Sequence, residues 1–302
     1  MPVACPLPVH PAGLPMTTDR PTALRALCCA STLAAAVLAT GCAQPPAAPP
    51  PKARVHVVTD QAELISFDAA TPGQPLARQP LRGLPPGERL VGIDYRVARG
   101  VLYALGSDGR LYTLDVATAR LQPVSATPAV RLPAGAVGFD FNPAADRIRV
   151  VVDDGSNLRL HPDSGALAAA DPALQYAAGD AAQGQAPRLA GAAYTYNKKD
   201  EKLTTNYAID RARGTLVTQG SVEGVAPAVS PNTGRLYTVG PLGTGSVDDA
   251  AFDIADIDNT ALAALRLNGQ TRLYVVDLQT GKARDLGAVA GGRALWGLAI
   301  EP

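Results

Sequence analysis

The residue types best suited to ligand chemistry lie close together between positions 139 and 161. Side chains alternate across an extended strand, so Phe139 and Phe141 on one face would leave Asp140 and Asn142 on the other. The same alternation along the next two runs predicts one polar face across three strands, made by Asp140, Asn142, Arg147, Arg149, Asn157, Arg159 and His161. Three arginines against one aspartate are unfavourable on a partly buried face unless they are paired or face water. The pattern therefore predicts either a lattice of ion pairs and hydrogen bonds between neighbouring sheets or a pocket in which guanidinium groups hold a carboxylate or another anion.

Three aspartates occupy equivalent places in short repeated segments, and they are the candidates for a metal site. Asp94, Asp140 and Asp253 each stand two positions after a Gly or Ala. Carboxylate oxygens are ligands that Ca²⁺ prefers, so strands that bring these side chains together would form a calcium site. Each aspartate can equally accept hydrogen bonds from neighbouring backbone amides. The sequence is compatible with both arrangements and predicts no other cofactor.

Few other residues could support catalysis or nucleic-acid binding. After Cys42 the chain contains only two histidines, His56 and His161, which excludes a three-histidine metal site in that part of the chain. The same part contains no Gly-x-Ser-x-Gly elbow, no Walker loop and no His-Glu-x-x-His motif. Lys and Arg total 27, as do Asp and Glu, so the basic excess of a nucleic-acid-binding protein is missing. We therefore predict no catalytic residues and no nucleic-acid partner.

The elements that must position these residues are short strands that recur along the chain. Five similar segments begin 46, 53, 60 and 46 residues apart, at 92–95, 138–141, 191–194, 251–254 and 297–300. Further strand-like runs separated by turn residues follow each of the first four. The runs 101–105 and 110–114, joined by Ser107, Asp108 and Gly109, predict a hairpin. Repeats of about four strands in 40–50 residues are typical of a β-propeller.

The two ends of this repeat region complement each other. The last segment stops at Pro302 and supplies one strand, and the three missing strands are available in residues 54–59, 63–67 and 75–81. A blade built from both ends closes the ring and removes open sheet edges. We therefore predict an all-β, five-bladed propeller over residues 54–302, with a pair of β-sandwiches as the alternative.

Three consecutive motifs carry a family resemblance. Gly-Phe-Asp-Phe-Asn-Pro at 138–143, Asp-Arg-Ile-Arg-Val-Val at 146–151 and Asn-Leu-Arg-Leu-His-Pro-Asp-Ser-Gly at 157–165 resemble the central signature of the domain of unknown function 4394 family. The resemblance extends through 92–96, 102–105 and 176–180, and covers essentially all of residues 54–302. It implies an exported domain with a repeat fold, and it implies no activity. The charged run 197–202 is unusual for the family and predicts a solvated turn.

The N-terminal region predicts export and a lipid anchor. Arg20 and Arg25 precede an apolar run, 26–40, that is short for a membrane span and fits the core of a secretory signal. Residues 1–15 contain no Lys or Arg, so Met16 is a plausible true start. The run 38–42, Leu-Ala-Thr-Gly-Cys, resembles a bacterial lipobox, which implies cleavage before Cys42 and lipidation of its thiol.

This resemblance sets the expected domain organisation and location. The signal peptide would occupy residues 1–41, the lipidated Cys42 with a Pro/Ala-rich tether 42–53, and the propeller 54–302. The residue after Cys42 is Ala43 and not Asp, which by the lipoprotein sorting rule implies the outer membrane.

Three functional hypotheses follow from these observations. The leading one is a non-enzymatic propeller of the cell envelope, anchored in the membrane through Cys42, that binds a small anionic ligand, a glycan or a partner protein. The alternative is an enzyme resembling propeller hydrolases, lactonases or sugar dehydrogenases, with Asp94, Asp140, Asn142 and Asp253 around an axial metal. A purely structural envelope protein is the third.

Overall fold

The computed structural model describes residues 48–128 and 130–302, so the predicted signal peptide and lipobox, with Cys42, lie outside the described residues. Within the described residues the fold is almost entirely strand. The helical elements there are three short 3₁₀ turns, at Val97–Arg99, Pro231–Thr233 and Ala290–Gly292. No helix in this part of the chain is long and apolar enough to cross a bilayer.

The strands form five separate sheets, which are the blades. The first blade begins with β1 (Arg54–Thr59), β2 (Glu63–Asp68) and β3 (Pro75–Pro80). The second blade consists of β4 (Leu90–Arg96), β5 (Val101–Gly106), β6 (Leu111–Asp115) and β7 (Arg120–Pro123). The third blade consists of β8 (Val137–Asn142), β9 (Arg147–Val152), β10 (Asn157–Leu160) and β11 (Leu167–Ala170).

The remaining strands complete the ring. The fourth blade contains the short β12 (Gln175–Tyr176), then β13 (Leu189–Tyr194), β14 (Asn206–Asp210), β15 (Thr215–Gln219) and β16 (Arg235–Pro241). The fifth blade contains β17 (Asp249–Ile254), β18 (Ala261–Leu267), β19 (Gln270–Val276) and β20 (Ala283–Ala288). The last strand, β21 (Leu295–Ile300), pairs antiparallel with β1, so the first blade is built from both ends of the domain. The five-bladed propeller and its closure by both termini are therefore confirmed.

The innermost strands of the blades are the repeated segments found in the sequence. Each of β4, β8, β13, β17 and β21 lies against the innermost strands of the two neighbouring blades. Glycine is required for this close approach. A Cβ atom at Gly92 would lie 2.4 Å from the Cβ of Phe139, and one at Gly138 would lie 2.7 Å from the backbone nitrogen of Ala192. The glycine that begins four of the five segments thus lets adjacent blades meet at the axis, and the fifth segment begins with the small residue Ala251.

Tight turns connect the strands within each blade. β18 and β19 are joined at Asn268 and Gly269, with φ values of 50° and 76°. Two consecutive left-handed residues form the turn whose twist matches that of a hairpin, and Asn-Gly is its preferred sequence. The predicted hairpin of β5 and β6 is also present, and Gly109 in its turn has a φ of 88°.

The core lies between the blades, in five clusters of buried apolar side chains. The smallest cluster lies between blades three and four, around Val151, Leu189 and Val217. Polar side chains replace apolar ones over the rest of that interface. Blades three and four therefore share the smallest apolar cluster, and a lattice of hydrogen bonds from Arg149 completes their interface.

Candidate functional site

Two cavities contain most of the residues that the sequence predicted as site residues. The first, the axial cavity, is about 330 Å³ and opens at the ends of the innermost strands β4, β8 and β17, with Asp94, Asp140 and Asp253 in its wall. The second, the crevice, is about 360 Å³ and lies between blades three and four, with Arg147, Arg149 and Arg159 in its wall. Asn142 and Tyr194 line both cavities.

The three aspartates converge at the axis, as their equivalent positions predicted. Each offers one carboxylate oxygen, and these oxygens lie within 4.8 Å of one another. All three side chains are buried. An arrangement of this size can hold a cation, because Ca²⁺ takes carboxylate oxygens among its six to eight ligands. Asp94, Asp140 and Asp253 are thus the residues that could bind a metal.

The same carboxylates also accept hydrogen bonds from the axial ends of all five innermost strands. Asp94 accepts from the backbone N–H groups of Tyr95 and Phe141, at 2.7 Å each. Asp253 accepts from the N–H groups of Ile254 and Ile300, at 2.6 Å each.

Asp140 accepts only one such bond, from the N–H of Tyr194 at 2.9 Å. Three carboxylates thus satisfy five backbone donors that would otherwise be buried without partners. Asp140 Oδ1 is the one carboxylate oxygen of the three residues that accepts no hydrogen bond from the described part of the chain.

Burial and mutual repulsion favour the protonated forms of these groups. Burial raises the pKa of Asp94 and of Asp140 well above the usual value, and repulsion from Asp253 raises both further. Repulsion from Asp94 also raises the pKa of Asp140, as does a side-chain hydrogen bond between the two. Burial raises the pKa of Asp253 to about 6, although the two N–H donors oppose the shift. Burial and repulsion therefore favour protonation of the cluster, and a bound cation would favour the ionised carboxylates instead.

Arg96 closes one side of the axial cavity, and no sequence pattern predicted it as a site residue. Its side chain is 3% exposed. Its guanidinium donates to both carboxylate oxygens of Asp146, with an Nε–Oδ1 distance of 2.8 Å, and to Asp163 at 2.5 Å. These hydrogen bonds raise its pKa, so Arg96 is a permanent cation tying blade two to blade three. The sequence signal for Arg96 was its position directly after the first of the five repeated segments, 92–95.

The floor of the crevice is a polar lattice centred on Arg149. This side chain is 1% exposed and reaches across the interface between blades three and four. Its guanidinium donates to four groups, namely Asn157 at 2.7 Å, Asp171 at 2.7 Å, Asn232 at 2.6 Å and the hydroxyl of Tyr194 at 3.2 Å. Every nitrogen of the fork is engaged, so Arg149 belongs to the interblade lattice.

Arg159 shares the counterion of Arg149. Its Nε and Nη2 donate to the two oxygens of Asp171, at 2.8 Å each. Burial alone would raise the pKa of Asp171, but the hydrogen bonds and charges of Arg159 and Arg149 outweigh it and hold the pKa below its usual value. One buried carboxylate therefore pairs with two arginines, and the three side chains together carry a net positive charge at the crevice.

Two further cations line the crevice, and neither has a carboxylate partner among the residues that the structure describes. Arg147 donates from Nη1 to the backbone carbonyl of Asp146 at 2.8 Å, and makes no ion pair within 4.0 Å in the described residues. Lys202 also lines the crevice and makes no ion pair in that part of the chain. The charged run 197–202, predicted as a solvated turn, is indeed largely exposed, but its last residue belongs to this wall.

The other predicted residues of the polar face have local structural contacts. Asn142 accepts from the N–H groups of Ala144 and Ala145 and so shapes the turn after β8. Asn157 is buried and donates to the carbonyl of Pro172. His161 does not lie on the third strand, because β10 ends at Leu160 and the chain turns there.

Three residues of blade four that no sequence pattern predicted complete the crevice, namely Tyr194, Glu223 and Asn232. They lie far along the chain from the arginines and belong to no repeated motif. Tyr194 ends a repeated segment, but nothing in that segment distinguishes it from Tyr95 or Phe141.

The fold and these cavities define the class of protein, a five-bladed β-propeller with one cavity on its axis and another between two blades, each with charged side chains in its wall. The chain belongs to the family described as domain of unknown function (DUF4394), whose model matches residues 63–299. The resemblance seen in the motifs is thereby confirmed. No curated protein matches the chain.

Solved structures with a similar chain path have low sequence identity. The dihydro-heme d1 dehydrogenase NirN, in complex with DHE, is 17% identical over 82% of this chain and 56% of its own, with a TM-score of 0.34. A structural genomics protein of unknown function from Bacteroides thetaiotaomicron VPI-5482 is 10% identical over 80% of this chain and 63% of its own, with a TM-score of 0.46. A putative 6-phosphogluconolactonase from Bacteroides uniformis ATCC 8492 is 14% identical over 78% of this chain and 82% of its own, with a TM-score of 0.39.

Proposed function

We propose that this protein is a non-enzymatic binding propeller of the cell envelope that holds a small anion in the crevice between blades three and four. The observation that carries the proposal is the pair of cations, Arg147 and Lys202, that line the crevice without a carboxylate partner in the described residues. Cations grouped in a concave site attract an anion, and a guanidinium can hold a carboxylate through two parallel hydrogen bonds.

The charge of the crevice wall supports the same proposal. Four basic side chains line it, Arg147, Arg149, Arg159 and Lys202, against one acidic side chain, Glu223. Asp171 neutralises one of the four. The wall therefore keeps an excess of positive charge in a protein whose formal net charge is zero. A small anion would balance that excess.

The experiment is isothermal titration of the full-length protein in detergent with sodium glucuronate and sodium phosphate. We expect binding that weakens as salt is added, because salt screens the attraction between ion and wall. The double variant Arg147→Gln, Lys202→Gln should lose it.

The matched control is Arg284→Gln in blade five. Like Arg147, this part-buried arginine donates to one backbone carbonyl, that of Pro49. Arg284→Gln should bind as the wild type does. Equal affinities of the wild type and the double variant, or no binding of either anion by the wild type, would contradict the proposal.

The proposed location in the cell envelope depends on lipidation of Cys42. Lipidation there would attach the propeller to the envelope through the Pro/Ala-rich tether, most simply at the outer membrane. A glycan or an envelope protein that presents a carboxylate would satisfy the crevice in the same way as a free small molecule.

The second candidate function is a metal-dependent hydrolase, lactonase or sugar dehydrogenase, and it is favoured by one observation. Three buried carboxylates lie within 4.8 Å of one another in the wall of the axial cavity. A bound divalent ion there would polarise a carbonyl or activate water. Elemental analysis after dialysis against calcium chloride tests this candidate, and a stoichiometric cation that is lost in Asp253→Asn would support it.

A further inference from the structure

We infer that the ligand of the crevice is a hydroxylated carboxylic acid of monosaccharide size, such as a sugar acid, and not a simple anion. This inference rests on the proposed function of the crevice. It follows from the polar groups that line the crevice beside the cations. One of these groups can accept a hydrogen bond from a ligand and two can donate one.

Glu223 is the first of these groups. Its Oε1 accepts from the side-chain amide of Asn197 at 3.2 Å. Its Oε2 is buried and has no hydrogen-bond partner in the described residues. The backbone N–H of Glu223 donates to Thr205 Oγ1 at 2.9 Å, which holds the residue in place at the wall.

A carboxylate with an unused oxygen sets two requirements on a ligand. It repels a bare carboxylate that approaches it, and it accepts a hydrogen bond from a hydroxyl group. The terminal torsion of a glutamate is broad, so the free oxygen of Glu223 can turn toward a donor. A ligand that places a hydroxyl at Glu223 and a carboxylate at Arg147 and Lys202 meets both requirements.

Two donors on the floor of the crevice extend this pattern. The hydroxyl of Tyr194 accepts from Arg149 and keeps its own hydrogen for another acceptor. Asn232 accepts from Arg149 through Oδ1, and its Nδ2 makes no hydrogen bond within the described part of the chain. Arg149 holds both groups in place, and both line the crevice. The floor can therefore donate to the oxygens of a ligand.

The size of the crevice limits the ligand to about one sugar unit. Its volume of about 360 Å³ is near the lower end of the range for small-molecule sites, which is about 300–1,000 Å³. A single six-carbon acid fits this volume better than an oligomer does. The combination of cations, one acceptor and two donors matches a molecule with one carboxylate and several hydroxyls.

The test compares three ligands by isothermal titration of the full-length protein in detergent. Glucuronate has a carboxylate and hydroxyls, propionate has the carboxylate alone, and glucose has the hydroxyls alone. We expect glucuronate to bind about tenfold or more tightly than propionate, because a buried group that loses its hydrogen-bond partner opposes binding. Glucose should show no binding.

Two variants test the preference for a hydroxylated acid separately from anion binding itself. Glu223→Gln should strengthen propionate binding and reduce the preference for glucuronate, because repulsion is removed and the acceptor becomes an amide. Arg147→Gln should weaken both acids. The control is Glu201→Gln, which changes a carboxylate that lines the axial cavity and not the crevice. It should leave both affinities unchanged.

A modified ligand tests the same inference on the wild-type protein, so the result does not depend on whether a variant folds. Glucuronate with all its hydroxyls methylated retains the ring and the carboxylate but cannot donate, and it should bind no better than propionate. If propionate or the methylated acid binds as tightly as glucuronate and Arg147→Gln weakens both, the inference is overturned while the anion site stands. If none of the acids binds, both are overturned.

Discussion

The change Arg149→Gln tests whether the polar lattice holds blades three and four together. The substitution removes hydrogen bonds to four groups, those of Asn157, Asp171, Tyr194 and Asn232. Removing one partner of a buried ion pair costs about 3–5 kcal/mol. Asp171 keeps two hydrogen bonds from Arg159, so we expect the lower end of this range, about 3 kcal/mol of unfolding free energy.

A loss of that size lowers the Tm by about 6–12 °C in a domain of this length. The assay is thermal unfolding followed by circular dichroism, with urea unfolding as a second measure. The control is Arg147→Gln, on the same strand and the same face, where the side chain donates to one carbonyl. It should change the unfolding free energy by less than about 0.5 kcal/mol. An Arg149→Gln protein that melts within about a degree of the wild type, or an equal loss in both variants, would refute the lattice.

Three other predictions follow from the fold, the axial cluster and the N-terminal motif. Deleting residues 294–302 removes β21, the partner of β1, so the product should be insoluble, and a soluble truncation with a cooperative melt would argue against this closure. Burial raises the pKa of Asp253 to about 6 and raises those of Asp94 and Asp140 well above the usual value, so these three groups bind more protons in the folded state than in the unfolded state above about pH 4. The Tm should therefore fall as pH rises from about 4 through 6, and a Tm that rises over this range would be inconsistent with the shifts. Cys42→Ala should abolish membrane fractionation without changing the Tm, and mass spectrometry showing an unmodified N-terminus in the mature wild type would contradict lipidation.

The ring was predictable because each blade has the same geometry, and the residues that this geometry requires recur along the sequence. Each innermost strand needs a small residue where blades meet, and Gly92 and Gly138 show why, since a Cβ atom there would overlap the next blade. Turn residues at fixed offsets then mark the hairpins. The single strand left over at the C-terminus predicted closure, because an unpaired edge is unfavourable.

The crevice was only half predictable, because its two walls come from different blades. The arginines of β9 and β10 follow one another along the chain, so strand alternation grouped them. Glu223 lies in the loop after β15 and Asn232 in the short 3₁₀ turn before β16, and neither belongs to a repeated segment. Which loop of blade four meets which face of blade three depends on the packing of whole sheets, and a single sequence carries no periodic signal for that.

Two matched substitutions distinguish two roles of the axial aspartates, accepting hydrogen bonds from backbone amides and binding a cation. Asp140→Asn keeps an oxygen for the N–H of Tyr194 and provides a permanent donor toward Asp94, so the Tm at neutral pH should be unchanged or higher. Asp253→Asn replaces one of two accepting oxygens with a donor and leaves one backbone N–H without a partner, which costs about 1–3 kcal/mol. Thermal unfolding in chelator and in calcium chloride measures both. If calcium raises the Tm of the wild type and both variants lose that effect equally, the carboxylates serve a cation. If only Asp253→Asn is destabilised and calcium has no effect, the three carboxylates serve as hydrogen-bond acceptors. Their role is then to pair the five backbone N–H groups that the five innermost strands direct at the axis.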